Sequence, residues 1–351
     1  MVERDYAAFI KSLMPEGHRN RDNQRPVSIW REKDRLRGFP EDTAVVIFRT
    51  RGCSWYRFSS CSMCGYFNDT SPTVTEEDLM RQVDYLANSL GGVSVLKVFT
   101  SGSFLDPMEV PPPVRQYFVD TVAAKLDKLL VESRTEYIRE ENLREIISSG
   151  VPTRVAIGLE SSSDEVIRRS VNKGSSFRKF VDAALRARSL GLEVRTYLLL
   201  KPPMMDEESA VQDCIKSVQD AAPYSNDVSV NPMNIQRNTF VEFLYSRGLY
   251  RPPRLWSVAR VLLSTRKSGT QVISYPTAGN KERGAHNDED SRELLSLIYR
   301  CSLEQDFSAL ERYMERCPEK YWREIRMEAS QLEQVDFRLL SSRVARSSVW
   351  L

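Results

Sequence analysis

From Thr43 to Ile235, short β-branched runs alternate with longer amphipathic stretches, and this alternation constrains the fold more than any other feature. "TAVVIFRT" opens the series as a buried strand ending in a turn. A helical stretch, "TVTEEDLMRQVDYLANSLGG", follows, with Thr75 as its N-cap and Gly91 past its end. The strand-like segments "VSVLKVFTSGS", "DKLLVES", "TRVAIGLES", "EVRTYLLL" and "DVSVNPMNI" come next, each separated from its neighbour by a helical segment. Strands joined in this way predict a parallel sheet with right-handed crossovers. Six such units are too few to close an eight-stranded barrel. The expected fold is therefore α/β, a partial (βα)6 TIM-like barrel, with an open doubly wound sheet as the alternative. Either arrangement puts the chemistry at the C-terminal ends of the strands.

The same pattern divides the chain. Residues 1–42 read as a basic N-terminal arm and 43–236 as the barrel. Residues 237–351 form a C-terminal extension, mostly helical, with at least one strand in "TQVISYP" and a polar loop, "TAGNKERGAHNDED". The formal net charge is only +2, so contact with nucleic acid needs a local concentration of positive charge. Arg19, Arg21, Arg25, Arg31, Lys33, Arg35 and Arg37 cluster around Trp30 and make the arm a candidate; a solvated charged segment is the alternative. The loop around Lys281, Arg283 and His286 is a second candidate. No apolar run approaches the roughly 18 residues of a membrane span. The N-terminus carries charges throughout and has no apolar signal core, so no membrane partner and a cytoplasmic location are expected.

Half of the six cysteines fall within one loop, "RGCSWYRFSSCSMCGYFND", directly after the first strand of the series. Six thiols in 351 residues are too few for a disulfide scaffold, so a cluster of three points to a metal or redox site. A structural zinc takes four protein ligands, and every further His or Cys lies far away in sequence. Three thiolates suit a [4Fe–4S] cube that keeps one iron open to another ligand. A zinc-stabilised RNA-binding protein without catalysis is the competing reading. Cys214, Cys301 and Cys317 read as small hydrophobes.

This loop, placed after the first strand of a partial barrel, resembles that of the radical SAM enzymes. Cys53, Cys61 and Cys64 keep the family's second interval of two residues and lengthen the first to seven. "TSGSFLD", "VESRTEYI" and "IGLESSSDEVIRRSVNKGSS" resemble further family segments at the ends of the second, third and fourth strands. The resemblance implies a [4Fe–4S] cluster on the three cysteines and S-adenosylmethionine (SAM) on the open iron. It implies that Ser101, Gly102 and Ser103 line the amino-acid end of SAM. Glu132, Ser133 and Arg134 would project at the mouth, with Glu132 and Glu160 accepting hydrogen bonds from ribose or ammonium. Arg195 would take the SAM carboxylate, or else form a salt bridge within the barrel. Met63 and Tyr66 would touch the adenine.

Within that superfamily the cysteine loop, "FTSGSFLDPMEVP" and "VESRTEYI" together are similar to the archaeosine-forming radical SAM family. The similarity implies cleavage of the lysine carbon–nitrogen bond of a lysine-modified 7-deazaguanine base in the tRNA D-arm, leaving a formamidine. The implied partners are that tRNA, a lysine-transferring enzyme and a reductant protein. Action on another tRNA base or a small molecule is the alternative within the superfamily.

Overall fold

The computed structural model describes residues 2–15 and 21–332; His18, Arg19 and residues 333–351 lie outside them. Helix α1 (Val2–Ser12) precedes strands β1 (Ser28–Asp34) and β2 (Glu41–Ile47). The short helix α2 (Ser54–Phe58) and α3 (Glu76–Ser89) lead to β3 (Val95–Phe99), α4 (Pro112–Thr121) and β4 (Lys128–Ser133). Then come α5 (Glu140–Ile147), β5 (Thr153–Glu160), α6 (Phe177–Ser189), β6 (Glu193–Leu200), α7 (Glu207–Ala221) and β7 (Asp227–Pro232). Helices α8 (Phe240–Tyr245) and α9 (Leu255–Thr265), strand β8 (Gln271–Ile273), α10 (Arg292–Glu304), α11 (Ser308–Met314) and α12 (Glu319–Leu332) complete the described chain. The eight strands form one sheet in chain order, with β1 antiparallel to β2 and every later pair parallel.

Period-two alternation sorts each parallel strand into two faces. Leu96, Val98, Leu129, Val131, Val155, Ile157, Val194, Leu198, Val228 and Val230 join the main core shared with the helices. The opposite face carries Lys97, Leu130, Glu132, Arg154, Ala156, Glu160, Arg195, Tyr197 and Asp227. That face is concave. Arg195 on β6 reaches Asp34 at the end of β1, with Nη1 3.1 Å from Oδ2, although four strands separate β1 and β6 in the sheet. Arg35 Nε likewise donates to Gln271 Oε1 of β8 at 2.9 Å. The sheet therefore curls until its two ends meet through side chains, and the expected partial barrel is present with two more strands than its six.

The barrel floor is ionic. Arg195 donates through Nε and Nη2 to the two Asp227 oxygens, each at 2.7 Å. Lys97 lies 2.8 Å from Asp34 and also pairs with Glu32, and Arg154 bonds Asp227 and Glu193. Asp34 and Asp227 have no exposed surface and Arg195 only 2%. The expected contact between Arg195 and the SAM carboxylate is corrected here. Arg195 is the third residue of its strand, so its guanidinium sits at the N-terminal end of the barrel, where two carboxylates saturate it.

The segment expected to be a basic arm is also corrected in part. Residues 28–34 are an edge strand, with Trp30, Glu32 and Asp34 on one face and Ile29 packed towards the main core on the other. Arg21, Arg31 and Arg35 serve the fold. Arg31 donates to Leu90 O at the end of α3, Arg35 to Gly38 O and Leu303 O, and Arg21 pairs with Asp69 at 2.8 Å. Strand β8 of the C-terminal extension joins the barrel sheet beside β7, and Ser257 of α9 bonds the buried Glu207 of α7 at 2.6 Å. A second apolar cluster sits at the mouth, where Phe9 of α1 meets Phe240 and Phe243 of α8 edge-on and Ile10 is buried. Among the described residues, no helix is long and apolar enough to cross a membrane.

Burial alone would raise the Asp34 carboxyl, but Arg195 and Lys97 beside it overcome burial and hold it well below the usual carboxylate range. Its contribution to stability is therefore complete above the unfolded-state value of about 3.9 and is lost as pH falls below it. Asp34→Asn is expected to lower the unfolding free energy at neutral pH by about 3 kcal/mol, because it leaves Arg195 with Asp227 alone and Lys97 with Glu32 alone. The gap to the unmodified protein should narrow below about pH 4. Urea unfolding at pH 7 and pH 3 checks both; an equal loss at the two pH values would exclude the charge as its source.

Candidate active site at the barrel mouth

The loop after β2 owes its shape to clamps on two sides. Cys53 stands at the N-cap of α2, so the long first interval between cysteines is a helical turn, closed by Ser60 in a left-handed conformation (φ 75°). On one side, Ser62 N and Oγ donate to Val171 O at 2.9 Å and Ser170 O at 2.6 Å. Asn172, itself left-handed, donates to Ser59 Oγ and Ser60 O and accepts from Trp55 Nε1 at 2.9 Å. These contacts explain why "SVNKG" matters: it is the seat of the cysteine loop. On the other side, Gly65 N donates to Gln236 Oε1, Asn68 Nδ2 to Arg237 O, and Val241 N to Ser62 O.

All three thiols are half-buried. Burial pushes the Cys64 thiol up to about 12 and raises Cys53 and Cys61 as well. Two cations oppose this. Arg134 Nη1 lies 3.8 Å from Cys53 Sγ, and Lys173 lowers Cys61. Among the described residues, no three His, Cys, Asp or Glu side chains converge closely enough to hold a single metal ion. A [4Fe–4S] cube takes its three thiolates on three separate irons. The thiols, the flanking cations and the three-ligand set thus fit a [4Fe–4S] cluster with an open iron.

Against this loop lies the turn after β3. A Cβ on Gly102 would stand 2.5 Å from Cys53 Cβ and 2.8 Å from its Sγ, so only glycine permits the approach. Ser103 Oγ is 2.9 Å from Ser133 Oγ, and Phe104 N donates to Glu132 O at 2.9 Å. Behind the turn sits Glu109, which sequence reasoning missed. It accepts from Ser101 N, Ser103 N and Thr50 Oγ1 at 2.9, 2.7 and 2.7 Å. In "LDPMEV" it reads as one more polar residue of a surface turn, and nothing in the pattern announces that the turn folds inward.

The remaining expected site residues divide. Arg134 lies beside Cys53 and over the Trp55 ring, 5.4 Å from its centroid. Burial raises the Glu132 carboxyl to about 8 against a hydrogen bond from Tyr197. Glu160 is held at φ 72°, where β5 loses register, and pairs with Lys173 at 2.7 Å. Lys173 also donates to Gly158 O at 2.6 Å, so it belongs to the site although its role was not foreseen. Tyr66 is 54% exposed beside the Ser101 turn, its carbonyl accepting from Ser101 Oγ at 3.5 Å. Met63 is half-buried between Cys61 and Cys64, and its side chain packs against the second apolar cluster. Cys214 and Cys301 are buried among apolar residues and Cys317 half-buried. Arg283 pairs with Glu242 and bonds Ile235 O, tying its loop back to the barrel.

Gly102→Ala is expected to leave the fold intact while displacing Cys53, because the new methyl overlaps a thiol rather than a core residue. Iron content after anaerobic reconstitution should fall well below that of the unmodified protein, with little change in the melting temperature of the iron-free protein. Full iron content would show that the two loops can part at no cost.

Residues 47–214 match the Radical SAM superfamily. An archaeosine synthase subunit beta from Methanosarcina acetivorans is 38% identical over 75% of this chain and 78% of its own length. Another, from Thermococcus kodakarensis, is 34% identical over 84% of this chain and 95% of its own. Among solved structures, Methanocaldococcus infernus Elp3 with an N-terminal deletion covers 66% of this chain and 59% of its own at 16% identity, with a TM-score of 0.48. The superfamily's cofactors are a [4Fe–4S] cluster and SAM, the pair that the thiol loop and the turn facing it fit. With two relatives matched along most of their length and of this chain's, the protein belongs to the archaeosine synthase subunit beta family of the radical SAM superfamily.

Proposed function

We propose that this chain is the radical SAM component that completes archaeosine in tRNA, cleaving the lysine carbon–nitrogen bond of a lysine-modified 7-deazaguanine base. The observation that carries the reading is the apposition of Gly102 and Cys53 at the barrel mouth of a chain whose relatives are named for archaeosine synthesis. Cys53, Cys61 and Cys64 hold the cluster. Ser101, Gly102 and Ser103 receive the amino-acid end of SAM, Glu132 and Glu160 its polar hydrogens, and Tyr66 its adenine. Ser133 braces the turn through Ser103, and Arg134 offsets thiolate charge beside Cys53. Bound there, the cluster and SAM supply one-electron cleavage and the power to abstract a hydrogen atom.

The chain's own contribution is position and electrostatics. Abstraction of hydrogen from the lysine carbon attached to the base's exocyclic nitrogen, return of one electron to the oxidised cluster and addition of water would break that carbon–nitrogen bond, release the lysine chain as an aldehyde and leave the nitrogen on the base as the formamidine. The modified base has to leave the folded tRNA core to reach the mouth. Partners on this reading are the lysine-bearing tRNA, the enzyme that attaches the lysine and a reductant protein. Phe58, 80% exposed, and Arg57 stand on the cysteine loop itself and offer a stacking face and a charge at the rim.

Cys53→Ala, Cys61→Ala and Cys64→Ala are each expected to abolish cluster assembly and SAM cleavage, whereas Cys214→Ala, on the core side of α7, should retain both. Iron analysis and 5′-deoxyadenosine release read the result; a turning-over Cys61→Ala protein would remove the ligand assignment. Anaerobic incubation with SAM, reductant and lysine-bearing tRNA should convert the modified nucleoside to archaeosine, followed by nucleoside mass spectrometry. SAM cleavage with the lysine-bearing nucleoside left intact would point to a different substrate.

A further inference from the structure

Glu109 is a carboxylate with 1% of its surface exposed, placed behind the two loops that face each other at the mouth. One oxygen, Oε1, accepts from the Thr50 hydroxyl and the Ser101 amide; the other, Oε2, accepts from the Ser103 amide. Thr50 Oγ1 in turn accepts from Gly52 N at 3.1 Å, one residue before Cys53. A single side chain therefore ties the start of the cysteine loop to both ends of the Ser101–Ser103 turn. Its own place is secured from below. Glu109 N and Val110 N donate to Asp106 O, and the fully buried Arg115 donates to Val110 O at 2.7 Å.

The direction of these bonds has a chemical consequence. In a trans peptide the N–H and the preceding C=O point opposite ways. With the amides of Ser101 and Ser103 turned to Glu109, the carbonyls of Thr100 and Gly102 turn away from it. The ammonium of SAM is a donor and needs acceptors. A turn whose amides are held behind it presents carbonyls and hydroxyls to such a group and withholds competing donors. We propose that Glu109 is the positioning residue for SAM: it sets the gap between the cysteine loop and the Ser101–Ser103 turn and orients that turn for the ammonium.

A carboxylate is needed because three donors converge on two acceptor atoms. Glutamine offers one oxygen and turns an NH2 group towards the remaining donor. Glu109→Gln in the full-length, cluster-loaded protein is therefore expected to raise the SAM dissociation constant about tenfold, since it loses a charge-assisted bond and adds a donor–donor conflict. Titration of the reduced cluster with SAM, followed by electron paramagnetic resonance, reads the affinity directly. Iron content and the melting temperature of the iron-free protein should stay close to those of the unmodified protein. SAM cleavage should recover most of its rate at saturating SAM, so the effect appears in KM more than in kcat. Thr50→Val, which keeps the shape and removes one donor, should weaken SAM about threefold. Unchanged SAM affinity in a cluster-loaded Glu109→Gln protein overturns the proposal. Loss of the cluster or the fold in both variants also overturns it, because Glu109 would then brace the cysteine loop alone. No tRNA enters these measurements, so their failure is distinct from failure of the archaeosine reading.

Discussion

The ionic floor is the constraint on which the rest of the structure depends. Seven parallel strands and one antiparallel edge would otherwise form an open twisted sheet, since no backbone ladder joins β1 to β8. Asp34, carried on the last residue of β1, meets Arg195 of β6 and Lys97 of β3 across the concave face, and Asp227 of β7 completes the group. Charges this deeply buried are tolerable only when every one has a partner, so the network holds the curl at one setting. The curvature brings the strand tops, and the loops they carry, around a common mouth.

At that mouth the same logic runs in reverse. The floor consumes its charges among themselves, whereas the top leaves polar groups arranged around the thiols. Arg134 stands beside Cys53, and Lys173 joins Glu160 near Cys61. The cysteine loop itself has little regular structure and borrows rigidity from neighbours. Ser170–Asn172 and Gln236–Asn238 grip its two sides, and Arg21 and Arg49 secure its far end at Asp69. Helix α1 extends the grip, with Lys11 donating to Tyr56 O and Tyr6 reaching Ser170 O. A loop that must present three thiols in fixed places is built from contacts to several separate parts of the chain.

Much of this was legible in the sequence, and the reason is local. Strand and helix periodicity are written in neighbouring residues, so the α/β alternation and the position of the thiol loop after the first parallel strand could be read directly. Glycine at position 102 and the close spacing of Cys61 and Cys64 are equally local signals. The edge strand Ser28–Asp34 was hidden because its charged residues look like a solvated arm; only the buried partners Lys97 and Arg195 make Asp34 an interior residue.

Arg195 and Glu109 mark the boundary between the two kinds of information. Both lie next to segments that the sequence pointed to, and in both the chemical role depends on which end of a strand or turn the side chain occupies and what meets it there. Arg195 is two residues into its strand and finds two carboxylates at the floor; Glu109 follows an Asp-Pro turn that doubles back beneath Ser101. The sequence by itself determined the repeating βα units, the three thiols and their place at the strand tops, because these follow from short-range periodicity and spacing. Tertiary structure alone decided which charges close the floor, which face the cofactors and which carboxylate orients the turn, because partners such as Asp34 and Arg195, 161 residues apart, meet only once the sheet has curled.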